Sequence, residues 1–284
     1  MPRDIRELKN DPAAYAAELE RRWTGLLSYR YIGRNHGSMN TGPADNTVRL
    51  RRDMRNAAGG LLVAPLSISA PEGNVGSDLV AVPNPVVHSC QILDDARDVA
   101  RIEVVESETL RVGARMGYSR SKIVDADHPD RVIAFTEGQG VRIGTPPEGL
   151  EKMPEDKLEI VDSPDLPPLW QVFGASRRDD GHWVLPELAD ELASPDAALH
   201  IGPQHVVLET AAIDLAAALV GTDRLQMQTW HVMFMARGKV GPFRVDGEAV
   251  PGAGGHTVGV RLTLHDEGND GRPVTVASAV LRVV

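Results

Sequence analysis

Two stretches of the chain repeat one pattern, a short strand followed by an apolar helix rich in alanine and leucine, and each opens a run of β-prone segments. The first covers residues 48–68 (VRLRRDMRNAAGGLLVAPLSI) and the second residues 199–219 (LHIGPQHVVLETAAIDLAAAL). A helix that is apolar on most sides has to be enclosed on most sides. A unit this long that occurs twice in 284 residues is not a solenoid repeat. It predicts two antiparallel sheets, each wrapped on one helix, within one body.

The halves superpose in the order of their elements rather than in their letters. Val48 falls on Leu199, Gly60 on Ala211 and His88 on His231, and the closing strands align Asp130-Arg-Val-Ile-Ala-Phe with Gly271-Arg-Pro-Val-Thr-Val. Strands rich in Val and Ile are expected over 85–93, 100–105, 109–124 and 131–143 in the first half. In the second they are expected over 225–236, 241–250, 256–265 and 273–283. The first-half helix should follow Gly59-Gly60. Pro65 beyond a first turn would cost a hydrogen bond, about 3 kcal/mol, so that helix is kinked or starts later.

Ahead of the first unit, Asp11-Pro12 is a helix start signal, and Tyr15, Leu19, Trp23 and Leu26 share one helical face. An amphipathic helix is expected over 11–27. Residues 33–42 form a glycine-rich connection without the Lys-Ser/Thr of a phosphate-binding loop, with Asn35 and His36 as pocket-lining candidates. Prolines 146, 147, 154, 164, 167, 168, 186 and 195 mark a long linker, partly packed down through Trp170 and Trp183. The organisation is thus residues 1–45 as helix and loop, 46–144 as repeat 1, 145–197 as linker and 198–284 as repeat 2.

The net charge of −10 argues against non-specific binding to nucleic acid or an anionic membrane. An anionic ligand would need a local basic patch, for which Arg49, Arg51, Arg52 and Arg55 are the candidates. The single cysteine, Cys90, excludes an internal disulfide and fits a reducing compartment. No apolar run approaches the roughly 20 residues that span a bilayer. The charged N-terminus lacks the apolar core of a signal peptide, and a cytoplasmic protein is expected.

Glu209 and Asp214 stand in an otherwise apolar helix. Buried without a partner, either carboxylate would be costly, and its pKa would rise toward the range useful for acid–base chemistry. Five residues turn about 140° around the helix, so the two do not share a face. Glu209 also sits near the helix start, where the dipole favours negative charge. No zinc-type Cys/His spacing and no Gly-x-Ser-x-Gly nucleophile elbow occurs.

Met54-Arg-Asn-Ala-Ala-Gly-Gly-Leu-Leu in the first half resembles the corresponding segment of tandem, or double, hotdog proteins of the acyl-CoA thioesterase type. So do Gly238-Lys-Val-Gly-Pro-Phe-Arg-Val and Gly271-Arg-Pro-Val-Thr-Val-Ala-Ser-Ala in the second. The resemblance spans roughly 46–144 and 198–284. It implies an α+β double hotdog, two repeats each a long apolar helix wrapped by a curved antiparallel sheet. It also implies an acyl-CoA or acyl-carrier-protein thioester as substrate, no cofactor or metal, and a possible homodimer.

In the resembled thioesterases a Gly-Gly pair opens the helix after a histidine, and an acidic residue follows about two turns on. Here Ala58 precedes the pair and Ser67 takes the acidic position, so repeat 1 departs from the pattern. The site implied is composite, with Gly59 and Gly60 amides as oxyanion donors, Glu209 or Asp214 as base or nucleophile, and His205 paired with Glu209. Asn56, Ser67, His88, Thr229 and His231 are candidates for contacting the substrate, and Ser89 or Thr229 for orienting a water.

Two other functions stay open. Pro203-Gln-His-Val-Val-Leu-Glu-Thr resembles the helix start of β-hydroxyacyl-ACP dehydratases, with Glu209 on their acid. The upstream histidine those enzymes need is missing, since His200 has the wrong spacing. A degenerate hotdog that only binds an acyl thioester would also lack the repeat 1 histidine and carboxylate.

Overall fold

The computed structural model describes residues 2–33, 46–70, 82–143 and 160–284. Asn35, His36 and residues 146–154 of the expected linker lie outside the described residues. Asp11 and Pro12 act as their types predict. Asp11 accepts a 3.0 Å hydrogen bond from the Ala14 amide, and Pro12 takes the first position of α1 (Pro12–Gly25). The helix expected over 11–27 is α1, which ends where Leu26 turns extended, and a second helix, α2 (Leu27–Ile32), follows.

The first half continues with β1 (Thr47–Arg49), α3 (Val63–Ser69), β2 (Val82–Ile92), β3 (Arg101–Val112), β4 (Met116–Asp125) and β5 (Val132–Ile143). The segment that follows holds α4 (Leu169–Val172), β6 (Ser176–Arg177) and β7 (Trp183–Leu185). Then come β8 (Ala193–Ser194), β9 (Ala198–Leu199), α5 (Ile201–Val220), β10 (Leu225–Phe234), β11 (Phe243–Pro251), β12 (Thr257–Asp266) and β13 (Arg272–Val283). The strands expected over 100–105 and 109–124 are divided differently. β3 runs through to Val112, and the turn falls at Gly113, whose amide bonds the Met116 carbonyl.

Eleven of these strands form one antiparallel sheet in the order β1-β3-β4-β5-β2-β10-β13-β12-β11-β7-β6. The halves meet at the antiparallel pairing of β2 with β10, where Val232 lies opposite His88 and His231 opposite Ser89. Read outward from that seam, β5, β4, β3 and β1 on one side answer β13, β12, β11 and β7 on the other. The strand equivalent to Val48 is therefore β7, which pairs with β11 as β1 pairs with β3. Leu199 sits instead in the small β8–β9 hairpin. Residues 183–185 of the expected linker thus supply a strand of the second half, with β6 outside it at the sheet edge, and Trp170 packs against Trp183 at 5.1 Å.

The helices differ in length, contrary to a long helix in each repeat: α5 has 20 residues and α3 has 7. The cause is local. Asn56 closes a turn by accepting the Ala58 and Gly60 amides on Oδ1, and Gly59 adopts the left-handed φ of +84°. The Leu61 and Leu62 amides then bond the Asp95 and Met54 carbonyls, so helical bonding begins only at Val63. Pro65 becomes the third helical residue, where a missing N–H costs nothing because no intrahelical acceptor exists.

α5 starts at His200, whose Nδ1 faces the Gly202 amide at 3.2 Å and Ser28 Oγ at 3.0 Å. A Cβ on Gly202 would come within 2.1 Å of that Ser28 oxygen, so glycine lets α2 approach the helix start. α5 packs on β11, β12 and β13, and α3 packs on α5 and β2. Val207, Leu208 and Ala212 on α5 and Leu66 and Ile68 on α3 are fully buried in the resulting core, each large side chain contributing about 2 kcal/mol.

The entry to α5 is clamped by the fully buried Asp266. Its carboxylate accepts the Lys239, Val240 and Gly241 amides at 2.7, 3.2 and 2.7 Å, and the adjoining Gly238 carbonyl accepts the Leu199 amide. Asp266→Ala strands three amides and should lower the unfolding free energy by about 3 kcal/mol or more in urea denaturation. A loss under about 1 kcal/mol would show that this loop is held by something else.

Candidate functional site

Where α3 meets α5, the Glu209 carboxylate accepts the Val63 amide at 2.6 Å and the Ala64 amide at 2.8 Å. These are the first two amides of α3, free by construction at a helix start. A carboxylate there is favoured by both the hydrogen bonds and the helix dipole. Glu209 is nonetheless buried, and loss of hydration outweighs the two amides: its pKa is raised from 4.5 to about 7. Its charge in turn reinforces burial in pushing up the thiol pKa of the fully buried Cys90 on β2.

One turn earlier on the same face of α5 lies His205, entirely buried. It makes its hydrogen bond not with Glu209, as expected, but with Trp230, whose Nε1 donates to Nδ1 at 3.0 Å. Its ring stands edge-on to His88 at 5.2 Å and to Phe234 at 5.6 Å. Burial first, then His88 and His200, hold its pKa well below 6.5. His88 on β2 reaches Ser67 of α3 through Nε2 at 2.9 Å. Thus two residue pairs one turn apart, Val63 with Ser67 on α3 and His205 with Glu209 on α5, lie where the two helices pack together, with His88 of β2 beside them.

The glycine pair does not take the role expected of it. The Gly59 amide donates to the Asn56 carbonyl at 2.9 Å and the Gly60 amide to Asn56 Oδ1 at 3.0 Å, so both donors are already engaged in the turn. What Gly60 provides is room: a Cβ there would lie 1.8 Å from Gln226 Oε1. That oxygen accepts Asn56 Nδ2 at 2.9 Å, and Gln226 Nε2 donates to the Leu61 carbonyl at 3.3 Å. Asn56 therefore braces the approach to α3, with β10 of the other half as its support.

Asp214 lies away from this cluster. It accepts Trp183 Nε1 at 3.3 Å and pairs with Arg177 at 3.3 Å, because five residues along α5 turn it toward the segment before the second half. His231 and Thr229 are also misplaced by the sequence reading. Side chains alternate along a strand, so while Trp230 and Val232 face the helices, Thr229 and His231 face away. His231 there meets Ser89 at 2.8 Å. His88 and His231 share a strand position in sequence but lie on opposite faces of the sheet.

Three of the four arginines of the expected basic patch are committed elsewhere, and Arg49 is exposed on β1. Arg51 is buried with Asp53 and lies 4.7 Å from the Tyr31 ring centre. Arg52 pairs with Asp162, and Arg55 donates to the carbonyls of Gly59, Ala96 and Val99. Among the described residues no group of three or more His, Cys, Asp or Glu side chains is placed to hold a metal ion, and no helix is long and apolar enough to cross a membrane. Sequence reasoning passed over Gln226, Trp230 and the Val63 and Ala64 amides. Trp230, three residues ahead of an exposed methionine on an alternating strand, carried a legible signal, whereas Gln226 carried none.

The sequence matches no family model and no curated protein. Solved structures match over most of the chain. An acyl-CoA thioesterase II, TesB2, from Mycobacterium marinum is 16% identical, with 87% of this chain and 96% of that one covered at a TM-score of 0.56. A tesB protein of Mycobacterium avium subs paratuberculosis is 14% identical, covering 86% and 95% at a TM-score of 0.55. A conserved protein of unknown function with a hot dog fold from Alicyclobacillus acidocaldarius is 12% identical, covering 84% and 92% at 0.50. At such identities the likeness establishes the fold, which is the hotdog fold, α+β with a large antiparallel sheet.

The raised pKa of Glu209 has a consequence for stability. The folded value, about 7, exceeds the unfolded 4.5, so the folded state holds this proton more tightly. The contribution is complete below pH 4.5 and is lost as pH rises through about 7, by about 3 kcal/mol. Compared by urea denaturation at pH 4.5 and at about pH 8, Glu209→Gln should lose less stability on going to the higher pH than the parent does, by about that amount. Equal losses would mean that Glu209 titrates normally.

Proposed function

We propose that this chain is a double hotdog hydrolase of acyl thioesters, carried by CoA or an acyl-carrier protein, with Glu209 as the general base. In this reading the hotdog units are residues 46–144 and 198–284, with 183–185 lending a strand to the second. The observation that carries it is the Glu209 carboxylate, supplied by one half and seated on the helix start of the other, with a pKa of about 7. A base with a pKa near the working pH transfers protons best in both directions.

The steps follow from that placement. The Val63 and Ala64 amides hold the carboxylate in one orientation and leave it further lone pairs for a water. Glu209 takes a proton from that water as its oxygen bonds the carbonyl carbon. The tetrahedral intermediate then expels the thiolate by breaking the C–S bond, and the proton on Glu209 returns to the sulfur. The fold likeness to named thioesterases supports the substrate class.

A buried protonatable carboxylate one turn from the neutral imidazole of His205 also suits addition of water to an enoyl thioester, which is the second reading. The deciding experiment is free-thiol release from acyl-CoAs running from acetyl to long-chain and aryl. Glu209→Gln should lower kcat/KM at least about a hundredfold and Asp214→Ala by less than about threefold. In the parent, kcat/KM should rise with pH on an apparent pKa near 7. No thiol release from any member overturns hydrolysis. Hydration of enoyl-CoAs by the same protein would then establish the second reading, and neither activity would leave a binding protein.

A further inference from the structure

Hydrolysis as proposed leaves one requirement unmet. A base alone does not stabilise the negative charge that develops on the carbonyl oxygen, and a preorganised donor is needed within hydrogen-bond distance of it. The amides that a hotdog helix start would offer are taken: Gly59 and Gly60 are bound to Asn56, and Val63 and Ala64 are bound to Glu209.

One buried donor on the same face of α5 is not taken. Trp230 Nε1 can only donate, so the His205 Nδ1 it faces must be the acceptor, and the imidazole proton resides on Nε2. That Nε2 is fully buried and has no hydrogen-bond acceptor among the described residues. A buried N–H without an acceptor is costly and uncommon in native proteins. Here it is also held in place, because Trp230 fixes the tautomer while His88 from one half and Phe234 from the other pin the ring edge-on.

Resting on the thioester reading, we propose that His205 Nε2–H is the hydrogen-bond donor to the thioester carbonyl, with Trp230 as the positioning residue that keeps the proton on that nitrogen. Glu209 and His205 are one turn apart on a single helix, so the base and the carbonyl donor are carried on one rigid element. The low pKa of His205 suits the task, since the ring stays neutral and Nδ1 stays an acceptor for Trp230. No proton is transferred from His205 in this role. It polarises the carbonyl, and Glu209 moves the proton.

The test uses two CoA analogues that cannot be hydrolysed: an octanoyl ketone in which methylene replaces the thioester sulfur, and S-octyl-CoA, which has no carbonyl. The parent protein should bind the ketone more tightly than the thioether. His205→Phe keeps the ring volume without the donor and should erase about tenfold of that preference while leaving the thioether affinity unchanged. His205→Gln, whose Nε2 can occupy the same place, should restore most of it. Trp230→Phe should reduce the preference with His205 still present.

Nitrogen NMR of histidine-labelled parent protein should show His205 as the Nε2–H tautomer at neutral pH, which needs no substitution to read. The opposite tautomer overturns the proposal, as does an undiminished ketone preference in His205→Phe. If the parent binds neither analogue, the thioester reading falls and this inference with it. If it binds both equally, only the inference falls.

Discussion

A carboxylate from one half of the chain closes the helix start of the other, and the centre of the molecule is arranged around that contact. Removing Glu209 from water costs several kcal/mol, and its pKa of about 7 shows that the two amides recover only part of it. The arrangement persists because both partners need each other. α3 has seven residues, too short to be stable alone, and its first amides are buried with no other acceptor among the described residues. A group poorly solvated in the core is therefore also one that ties the two halves together.

Around it, each half stabilises the other's irregular parts. Gln226 on β10 anchors the Asn56 turn that delays α3 until Val63. Ser28 on α2 packs into the space at Gly202, and His200 contacts both Trp23 and Tyr29 edge-on. Ser194, Asp196 and Asn84 gather on Arg237, linking the hairpin before α5 to β2. The continuous hydrogen bonding of β2 to β10 joins two sheets into one, so neither half has an open edge at the seam. A polar group of acid, imidazole and hydroxyl is thereby buried between two helices and two strands drawn from both halves.

Much of this was legible from residue order. The start of the N-terminal helix, the strands of both halves and the prominence of Glu209 in an apolar helix each followed from local pattern. The failures have local causes too. Gly59-Gly60 reads as a helix opening, yet Asn56 captures both amides, that of Gly59 on its backbone carbonyl and that of Gly60 on its side-chain oxygen. His88 and His231 align in sequence, but a one-residue step in the antiparallel register turns them to opposite faces. Arg51 and Arg55 read as a ligand patch and are spent on Asp53 and on loop carbonyls.

The sequence alone therefore pointed to an α+β fold and to two candidate carboxylates in an apolar helix, Glu209 and Asp214, because hydrophobic period, caps and turns act over a few residues. It left undecided which donors remain free once the chain is packed. Whether an amide or an imidazole nitrogen has a partner depends on residues as distant as Glu209 from Val63 or Gln226 from Asn56. Those distances in sequence carry no local pattern. Only the tertiary structure, by seating α3 on α5 and β2 on β10, decided that the glycine amides are occupied and that, among the described residues, the His205 Nε2 proton is not.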